Sequence, residues 1–240
     1  MRQLLKKSDF LRRIYYRFQL RRADGQDDAG TMVAELGSMG PKTFVEFGFD
    51  PTEFNCIGLA KDPGWRGLLI DSSFRKVGDV RRLFHSGIKA EQAFLTLDNL
   101  NIVRDAFPKI GVLSIDVDGN DYWFLKALID VRPTLIAVEY NASFGIEPIT
   151  VPYDPAFDRD AKHPRSWYHG ASLTALAKLC ATYGYGLAAV SDGGANALFT
   201  REGNLDPIEA WKPNTLRLRY SGVSHEEQWE SLRHMPFEKV

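Results

Sequence analysis

The chain has little cysteine and no long apolar run, and each of these features excludes a class of protein. Its two cysteines, Cys56 and Cys180, are too few and too far apart for a disulfide framework or a zinc site. No apolar run approaches the ~18 residues of a membrane span. The N-terminus has neither the uninterrupted apolar segment nor the cleavage site of a signal peptide. We therefore expect a cytoplasmic protein.

The chain also lacks an excess of charge of either sign, because its formal net charge is −1. That balance hides a basic arm, since residues 1–22 hold eight Lys or Arg and one Asp. Its apolar residues fall on one stripe of a helix: Leu4, Leu11, Ile14, Tyr15 and Phe18. We expect a basic amphipathic helix that packs on the main domain or on a second copy of the chain. A helix on the inner face of the membrane, or one that docks a partner enzyme, is the alternative. The acidic remainder of the chain argues against nucleic acid as a partner.

Segments typical of strands and helices alternate from residue 41 onward, which predicts a doubly wound α/β sheet. The length suits one such domain. We divide the chain into the helix 1–22, a linker and lead-in over 23–40, a main domain over 41–204 and a C-terminal extension over 205–240. The predicted strands cover 43–48, 67–71, 88–95, 111–118, 134–140, 186–190 and 196–200. The predicted helices cover 54–60, 74–84, 97–107, 121–131, 171–183 and 225–234. Only five residues separate the last two strands, so they should form an antiparallel hairpin.

Polar residues stand at the carboxyl ends of four predicted strands, where open α/β sheets bind ligands. Gly48 follows Glu46 at the first strand end and would let backbone approach a ligand closely. Asp71 ends the second strand, where an acidic side chain suits ribose hydroxyls. The alternatives are a structural turn at Gly48 and a helix N-cap at Asp71 or the neighbouring Ser72. The chain has no G-x-G-x-x-G turn and no P-loop, which favours a cofactor with a ribose but no phosphates. S-adenosylmethionine is such a cofactor.

The run Ser114-Ile-Asp-Val-Asp-Gly-Asn-Asp121 is the densest polar cluster in the chain. In a strand, Asp116 and Asp118 would point to the same face, so they could act as a base or hold a divalent cation such as Mg²⁺. Glu139 and Asn141, at the next strand end, would complete a set of oxygen ligands. The structural alternative is a strand end followed by a helix cap. Calcium storage is disfavoured because the acidic residue that closes an EF-hand loop is missing.

Two further features point to a site for a second substrate, the molecule that would accept a group from the cofactor. His169 precedes a predicted helix and has a side chain suited to removing a proton from a hydroxyl, although a lone histidine is often a surface or capping residue. The segment 141–168 is too long for an ordinary connection, which is typical of a lid or binding loop. Its aromatic residues, interleaved with Asp and Arg, suit a carbohydrate, and a well-packed crossover is the alternative.

Seven of these segments together resemble one family. They are "FVEFGFDPTEFN", "GWRGLLID", "TLDNLN", "LSIDVDGNDYW", "VEYN", "YHGASLTAL" and "GYGLAAVSDGGANALF", over residues 41–200. The chain resembles the Rossmann-like class I S-adenosylmethionine-dependent methyltransferases, and within them the FkbM-type and related bacterial enzymes that O-methylate sugars and polysaccharides. The resemblance implies a mostly parallel seven-stranded sheet whose last strand is antiparallel. The chain differs from the family pattern at two places. His169 stands where the family leads us to expect tyrosine, and the glycine-rich loop after the first strand is reduced to one glycine.

The resemblance also implies roles by position. Cofactor contacts are expected at Glu46, Gly48, Asn55, Asp71, Ser72, Ala93, Phe94 and Asp116. Asp116, Asp118, Glu139 and His169 would serve catalysis, with Asp116, Asp118, Glu139 and Asn141 as the ligands of any metal. The expected activity is S-adenosylmethionine-dependent O-methylation of a sugar or glycan hydroxyl. A non-sugar acceptor, and a non-catalytic scaffold recruited through the basic arm, are the alternatives. Assembly into a homo-oligomer is a further expectation.

Overall fold

The computed structural model describes residues 9–21 and 28–240, and its centre is a seven-stranded sheet. The strands are β1 (Thr43–Phe47), β2 (Arg66–Asp71), β3 (Ile88–Gln92), β4 (Val112–Ile115), β5 (Leu135–Glu139), β6 (Ile149–Thr150), β7 (Gly186–Val190), β8 (Asn196–Thr200) and β9 (Glu238–Lys239). The α-helices are Asp9–Leu20, Ala29–Gly37, Ile57–Lys61, Phe74–Leu83, Asn101–Arg104, Asp121–Leu128, Arg159–Lys162, Leu173–Thr182, Thr215–Ser221 and His225–Leu232.

The sheet has the order β3-β2-β1-β4-β5-β8-β7. The strands β1 to β5 pair in parallel, whereas β8 is antiparallel to both β5 and β7. The hairpin predicted from the short connection between β7 and β8 is therefore confirmed, and so is the mostly parallel seven-stranded fold. The strand order reverses between β1 and β4, which leaves a crevice outside their carboxyl ends.

Helices cover both faces of this sheet. Successive residues of a strand point to opposite faces, so the continuous apolar runs of the central strands need cover on both sides. Val45 lies in the core cluster that includes the helix Asp121–Leu128. Phe44 lies in a second cluster, which includes the helix Phe74–Leu83. The prediction of a doubly wound sheet is thus confirmed.

Two strands end earlier than predicted. β3 ends at Gln92, which leaves Ala93 in the loop that follows. β4 ends at Ile115. The carboxylate of Asp121 accepts hydrogen bonds from the backbone N–H of Val117 and Gly119, both at 2.9 Å, and so holds the chain in a loop outside the sheet. The prediction that Asp116 and Asp118 share one face of a strand is therefore wrong.

Two other segments differ from their predictions. The helix predicted over 97–107 is a 3₁₀ turn, Leu97–Asn99, followed by the short helix Asn101–Arg104. Pro108 follows soon after, and a proline disfavours the helical conformation in the residue before it. The linker predicted over 23–40 contains the helix Ala29–Gly37, whose Val33 is buried in the core, while residues 22–27 lie outside the described part of the chain.

The N-terminal helix packs on the domain, but not through the predicted stripe. Leu11, Ile14 and Phe18 are exposed, and Leu4 lies outside the described residues. The packing face instead carries Arg12, whose guanidinium donates two hydrogen bonds to the buried Asp79 carboxylate, at 2.8 and 3.0 Å. The face that meets the domain therefore carries this ion pair together with the buried Tyr16. Among the described residues, no helix has the length and apolar character to cross a bilayer.

The C-terminal extension folds back onto the long loop 141–168. β9 pairs with β6 of the loop. Phe237 of the extension packs edge-on against Phe144, with ring centroids 4.9 Å apart. The helix predicted over 225–234 is present as His225–Leu232, whereas the helix Thr215–Ser221 and the β6–β9 pair were not predicted. The extension therefore holds this loop against the main sheet.

Candidate functional site

A cavity of about 520 Å³ opens at the carboxyl ends of β1, β2, β4 and β5, where the strand order reverses. Its volume is in the range of small-molecule and cofactor sites. Most of the predicted site residues line it: Gly48, Asp71, Ser72, Ala93, Phe94, Asp116, Asp118 and Glu139. The other predicted residues do not line it: Glu46, Asn55, Asn141 and His169.

Gly48 brings the first turn against the end of β4. Its φ is +76°, in the left-handed region that favours glycine. A Cβ built on Gly48 would lie 1.4 Å from the carbonyl oxygen of Asp116. The glycine is therefore needed for close packing of two strand ends, and this packing shapes the floor of the cavity.

Glu46 and Asn55 stand behind this turn and not on the cavity wall. The Glu46 carboxylate accepts hydrogen bonds from the backbone N–H groups of Asn55 and Cys56, both at 2.8 Å, at the start of the next helix. Burial raises the pKa of Glu46 to about 7, against the effect of these bonds. The Asn55 amide donates to Asn196 at 3.0 Å and to Ser114 at 3.3 Å. Both residues brace the turn, because strand alternation turns Glu46 toward the helix that follows β1.

Asp71 lines the cavity and braces the neighbouring turns, but it is not the helix N-cap that the sequence offered as its alternative. Its carboxylate accepts hydrogen bonds from the backbone N–H of Ser73 at 2.7 Å and of Phe49 at 3.4 Å. Lys76 forms an ion pair with it at 3.0 Å. The Ser73 hydroxyl caps the following helix. Asp71 therefore joins the turns after β1 and β2 while its carboxylate still faces the cavity.

Asp116 presents its carboxylate to the cavity, where the positive charge of Arg159 partly offsets its own charge. No side chain or backbone group of the described residues donates a hydrogen bond to it within bonding distance. Burial, and then the nearby carboxylates of Asp118, Asp121 and Glu46, raise the pKa of Asp116 well above its ordinary value. A cationic ligand in the cavity would stabilise the ionised form of such a group.

Asp118 sits on a strained turn next to Asp116. Its φ is +57°, which is uncommon for a residue other than glycine. Its half-exposed carboxylate pairs with the guanidinium of Arg159, from the long loop. Asp121 maintains this turn through the two backbone hydrogen bonds described above, and burial raises its pKa to about 6.

Glu139 and His169 form a pair at the back of the cavity. The Nδ1 atom of His169 lies 3.7 Å from the Oε2 atom of Glu139, and neither atom has a hydrogen-bond partner in the described part of the chain. Burial, and then the neighbouring Asp116 and Asp118, raise the pKa of Glu139 well above its ordinary value. Burial, and then Arg217, lower the pKa of His169 well below 6.5. The pair is thus a carboxyl group of raised basicity beside a neutral imidazole.

Arg217 of the C-terminal extension decides the tautomer of this imidazole. Its Nη2 atom lies 3.1 Å from His169 Nε2. A guanidinium can only donate, so Nε2 must accept and the ring proton must reside on Nδ1, facing Glu139. Arg217 also donates to Asn141 Oδ1 at 2.9 Å and to the Ser143 hydroxyl at 2.6 Å.

Asn141, which the sequence predicts as a metal ligand, has its side chain engaged in hydrogen bonds within the protein. Its side-chain nitrogen donates to the carbonyl oxygens of Trp167 and His169, at 2.6 and 2.8 Å, and its oxygen accepts from Ser143 and Arg217. These bonds use the side chain to fix the long loop.

A different trio of residues presents possible metal-ligand atoms within 4.8 Å of one another: Asp118, Glu139 and His169. A cation there would have to displace Arg159 from Asp118 and the Nδ1 proton from His169. Magnesium binding by Asp116, Asp118, Glu139 and Asn141 stays a prediction, and Asp118, Glu139 and His169 form a second possible set of ligands.

Sequence reasoning missed the cationic residues of the site. Arg159 belongs to the loop 141–168, which the sequence already indicated as the acceptor side, so an inspection of its charges would have found it. Lys76 lies in the first turn of the helix that follows Asp71, so its short distance from Asp71 in the sequence was also a signal. Arg217 carries no such signal, because it reaches the site from an extension with no sequence link to the strand ends.

Comparisons with known proteins agree with this architecture. No family model and no curated protein sequence matches the chain. A crystal structure of a candidate O-methyltransferase from Klebsiella pneumoniae matches 78% of this chain and 87% of its own, with a TM-score of 0.50 and 13% identity. An O-methyltransferase from Bacillus cereus, solved in complex with S-adenosylhomocysteine, matches 72% of this chain and 78% of its own, with a TM-score of 0.48 and 16% identity. The methyltransferase domain of bacterial CtHen1-C matches 75% of this chain and 98% of its own, with a TM-score of 0.48 and 18% identity.

At this identity the likeness concerns the fold. It agrees with the α/β fold and its mostly parallel seven-stranded sheet. The narrower resemblance to the FkbM-type enzymes stays a prediction. The chain has the fold of the class I S-adenosylmethionine-dependent methyltransferases.

Proposed function

We propose that this protein is an S-adenosylmethionine-dependent O-methyltransferase that acts on a sugar or glycan hydroxyl. The observation that carries the proposal is the acidic cavity at the switch point of the sheet. Asp71, Asp116, Asp118 and Glu139 all line it, and burial raises the pKa values of Asp116 and Glu139. Grouped carboxylates favour a ligand with positive charge. S-adenosylmethionine carries a sulfonium and an ammonium group.

The residues present suit the parts of this cofactor. Asp71 has acceptor oxygens for ribose hydroxyls. Phe94, in the loop after β3, lines the cavity although it is 57% exposed, and so offers an aromatic face to an adenine. Asp116 faces the cavity beside Gly48, where its free carboxylate suits the cationic part. The cofactor supplies an electrophilic methyl group, and the protein must supply the aligned hydroxyl and the base.

Glu139 is the proposed base because it lines the cavity and its raised pKa increases its proton affinity. S-adenosylmethionine, held by Asp71, Phe94 and Asp116, would supply the methyl group for the acceptor oxygen, with the thioether of S-adenosylhomocysteine as the leaving group. The hydroxyl proton passes to the Glu139 carboxylate. His169 lies behind Glu139, with its Nδ1–H on the carboxylate side, and acts as a positioning residue for it.

The sugar acceptor is proposed from the wall that the long loop adds to the site. Phe157 and Arg159 of this loop line the cavity beside Asp118. Aromatic rings pack on sugar faces, while charged groups bond to hydroxyls. The loop is anchored by the hydrogen bond from the Asn120 amide to the Asp154 carbonyl, at 2.8 Å. Its aromatic face is therefore fixed next to the transfer site.

Calorimetric titration with S-adenosylhomocysteine tests the cofactor, with magnesium and again with EDTA. We expect micromolar binding in both. Phe94→Ala should weaken it roughly tenfold through loss of the adenine contact. Phe74→Ala is the matched control, because Phe74 is also an exposed phenylalanine but does not line the cavity.

Each outcome has a distinct meaning. Binding that disappears with EDTA would place a cation in the site. An equal loss of affinity in both phenylalanine variants would contradict the placement of the adenine. No binding under either condition would overturn the methyltransferase proposal and favour a non-catalytic scaffold.

A further inference from the structure

A second groove lies beside the proposed transfer site. It has a volume of about 570 Å³, and its wall includes Arg159, Arg165, Arg217, Trp167 and Tyr220. Arg159 also lines the first cavity, so the two spaces share a wall. The groove therefore lies next to the cavity, on the other side of Arg159.

The groove is basic, and two of its three arginines lack a carboxylate partner. Arg159 pairs with Asp118, but across the described ranges no carboxylate forms an ion pair with Arg165 or Arg217. The Arg165 guanidinium lies 4.9 Å from the ring centroid of Trp167, which holds it at the groove edge. The contacts of Arg217 are with neutral groups of Asn141, Ser143 and His169.

The two unpaired arginines have donors to spare. A guanidinium has five N–H bonds, and three of those on Arg217 are used by the neutral contacts above. Arg165 is exposed, and its guanidinium makes no hydrogen bond to the described residues. Arginine binds planar or tetrahedral oxyanions through paired donors, and more strongly than it binds neutral hydroxyls.

Tyr220 adds a ring surface to the same groove. Its side chain is 81% exposed, on the helix Thr215–Ser221 that also carries Arg217. A large exposed ring next to unpaired cations suits a ligand that has both a ring face and a negative charge.

We propose that the groove formed by Arg165, Arg217 and Tyr220 binds an oxyanion on the acceptor, so that the methylated sugar is an acidic one. The inference rests on the proposed function and narrows its substrate class. The anion is a carboxylate, as in a uronic acid, or a phosphate, as in a sugar phosphate.

Calorimetry on the full chain saturated with S-adenosylhomocysteine tests this inference. The probes are glucose, glucuronate, glucose 6-phosphate and inorganic phosphate, each at concentrations up to about 10 mM. The acidic sugars should bind at least tenfold more tightly than glucose, and added salt should reduce their affinity. Comparison of glucuronate with glucose 6-phosphate distinguishes the carboxylate from the phosphate.

Arg165→Gln should reduce the preference for the acidic sugars about tenfold, without changing the affinity for S-adenosylhomocysteine. Tyr220→Ala should weaken all the sugars and leave inorganic phosphate unaffected. Arg219→Gln is the matched control, because Arg219 is an exposed arginine on the same helix that does not line the groove. It should change nothing.

The failures are distinguishable. If S-adenosylhomocysteine does not bind, the proposed function fails. If it binds but the acidic sugars and phosphate bind no better than glucose, or not at all, only the anion site is overturned. An acidic preference that survives Arg165→Gln, or falls equally with Arg219→Gln, would also overturn it.

Discussion

Replacement of Gly48 by alanine tests the close approach of the first turn to β4. The new Cβ would lie 1.4 Å from the Asp116 carbonyl oxygen, where an ordinary carbon–oxygen contact needs about 3.3 Å. The turn would have to move by about 2 Å. That movement strains two hydrogen bonds of 3.1 Å, from Gly48 to Ile70 and from Asp116 to Phe47. Each is worth about 1 kcal/mol.

The left-handed conformation adds a further cost of about 1–2 kcal/mol for alanine. We therefore expect Gly48→Ala to lower the free energy of unfolding by about 3–4 kcal/mol, which for a chain of this size lowers Tm by about 10 °C. The affinity for S-adenosylhomocysteine should fall at least tenfold, because the cavity floor moves with the turn.

Urea denaturation and calorimetric titration measure the two effects, and Gly58→Ala is the control. Gly58 lies in the helix Ile57–Lys61, and the nearest atom to its added Cβ is Ala34 Cβ at 3.7 Å, an ordinary contact. That variant should be neutral or more stable by up to about 1 kcal/mol. The reasoning is refuted if Gly48→Ala matches Gly58→Ala in stability and binds the cofactor product normally.

Two further predictions concern buried charges. Folded His169 resists protonation, whereas in the unfolded chain this residue takes up a proton near pH 6.5. Its own contribution to stability should therefore fall as pH decreases below 6.5, by up to about 1.4 kcal/mol per pH unit, while buried carboxyl groups of raised pKa, such as Glu46, act in the opposite direction. Urea denaturation between pH 7 and pH 5 should show that the native chain loses stability relative to His169→Asn as pH falls, and parallel profiles would contradict the assignment. Arg12→Met should cost about 3–5 kcal/mol, because it leaves the Asp79 carboxylate buried without this partner. The double variant Arg12→Met/Asp79→Leu should recover most of that stability in denaturation experiments. Amide exchange in the helix Asp9–Leu20 should also become slow again. A double variant that is no more stable than Arg12→Met would contradict this explanation.

The polar residues at the strand ends were predictable because strands and turns leave local patterns. Apolar, β-branched runs that end in Gly48, Asp71 or Glu139 predict parallel strands, and parallel strands bring their carboxyl ends to one edge. The cavity follows from this rule. The same rule does not say which side chain at a strand end turns toward the ligand, and this is where the expectations for Glu46 and Asn55 failed.

Asp118 and Asn141 differ from their predictions for different reasons. Asp118 was expected on a strand face, but the carboxylate of nearby Asp121 holds the turn through the backbone N–H groups of Val117 and Gly119. Asn141 was expected to hold a metal, but its side-chain oxygen accepts hydrogen bonds from Ser143 and from Arg217, which is far away in the sequence. The first contact is local in the chain, whereas the contact with Arg217 exists only after the extension has packed on the domain.

The sequence by itself determined the seven strands of the main sheet, the hairpin that makes β8 antiparallel, and the acidic edge of the sheet. Periodicity and turn residues encode those features within a few positions of the chain. Only the tertiary structure decided that Arg217 meets His169, that Arg159 meets Asp118, and that Arg12 meets Asp79. These pairs join residues that are far apart in the chain. The two partners come within bonding distance only after the chain has folded, because an ion pair or a buried hydrogen bond depends on distance in space and not on spacing in sequence.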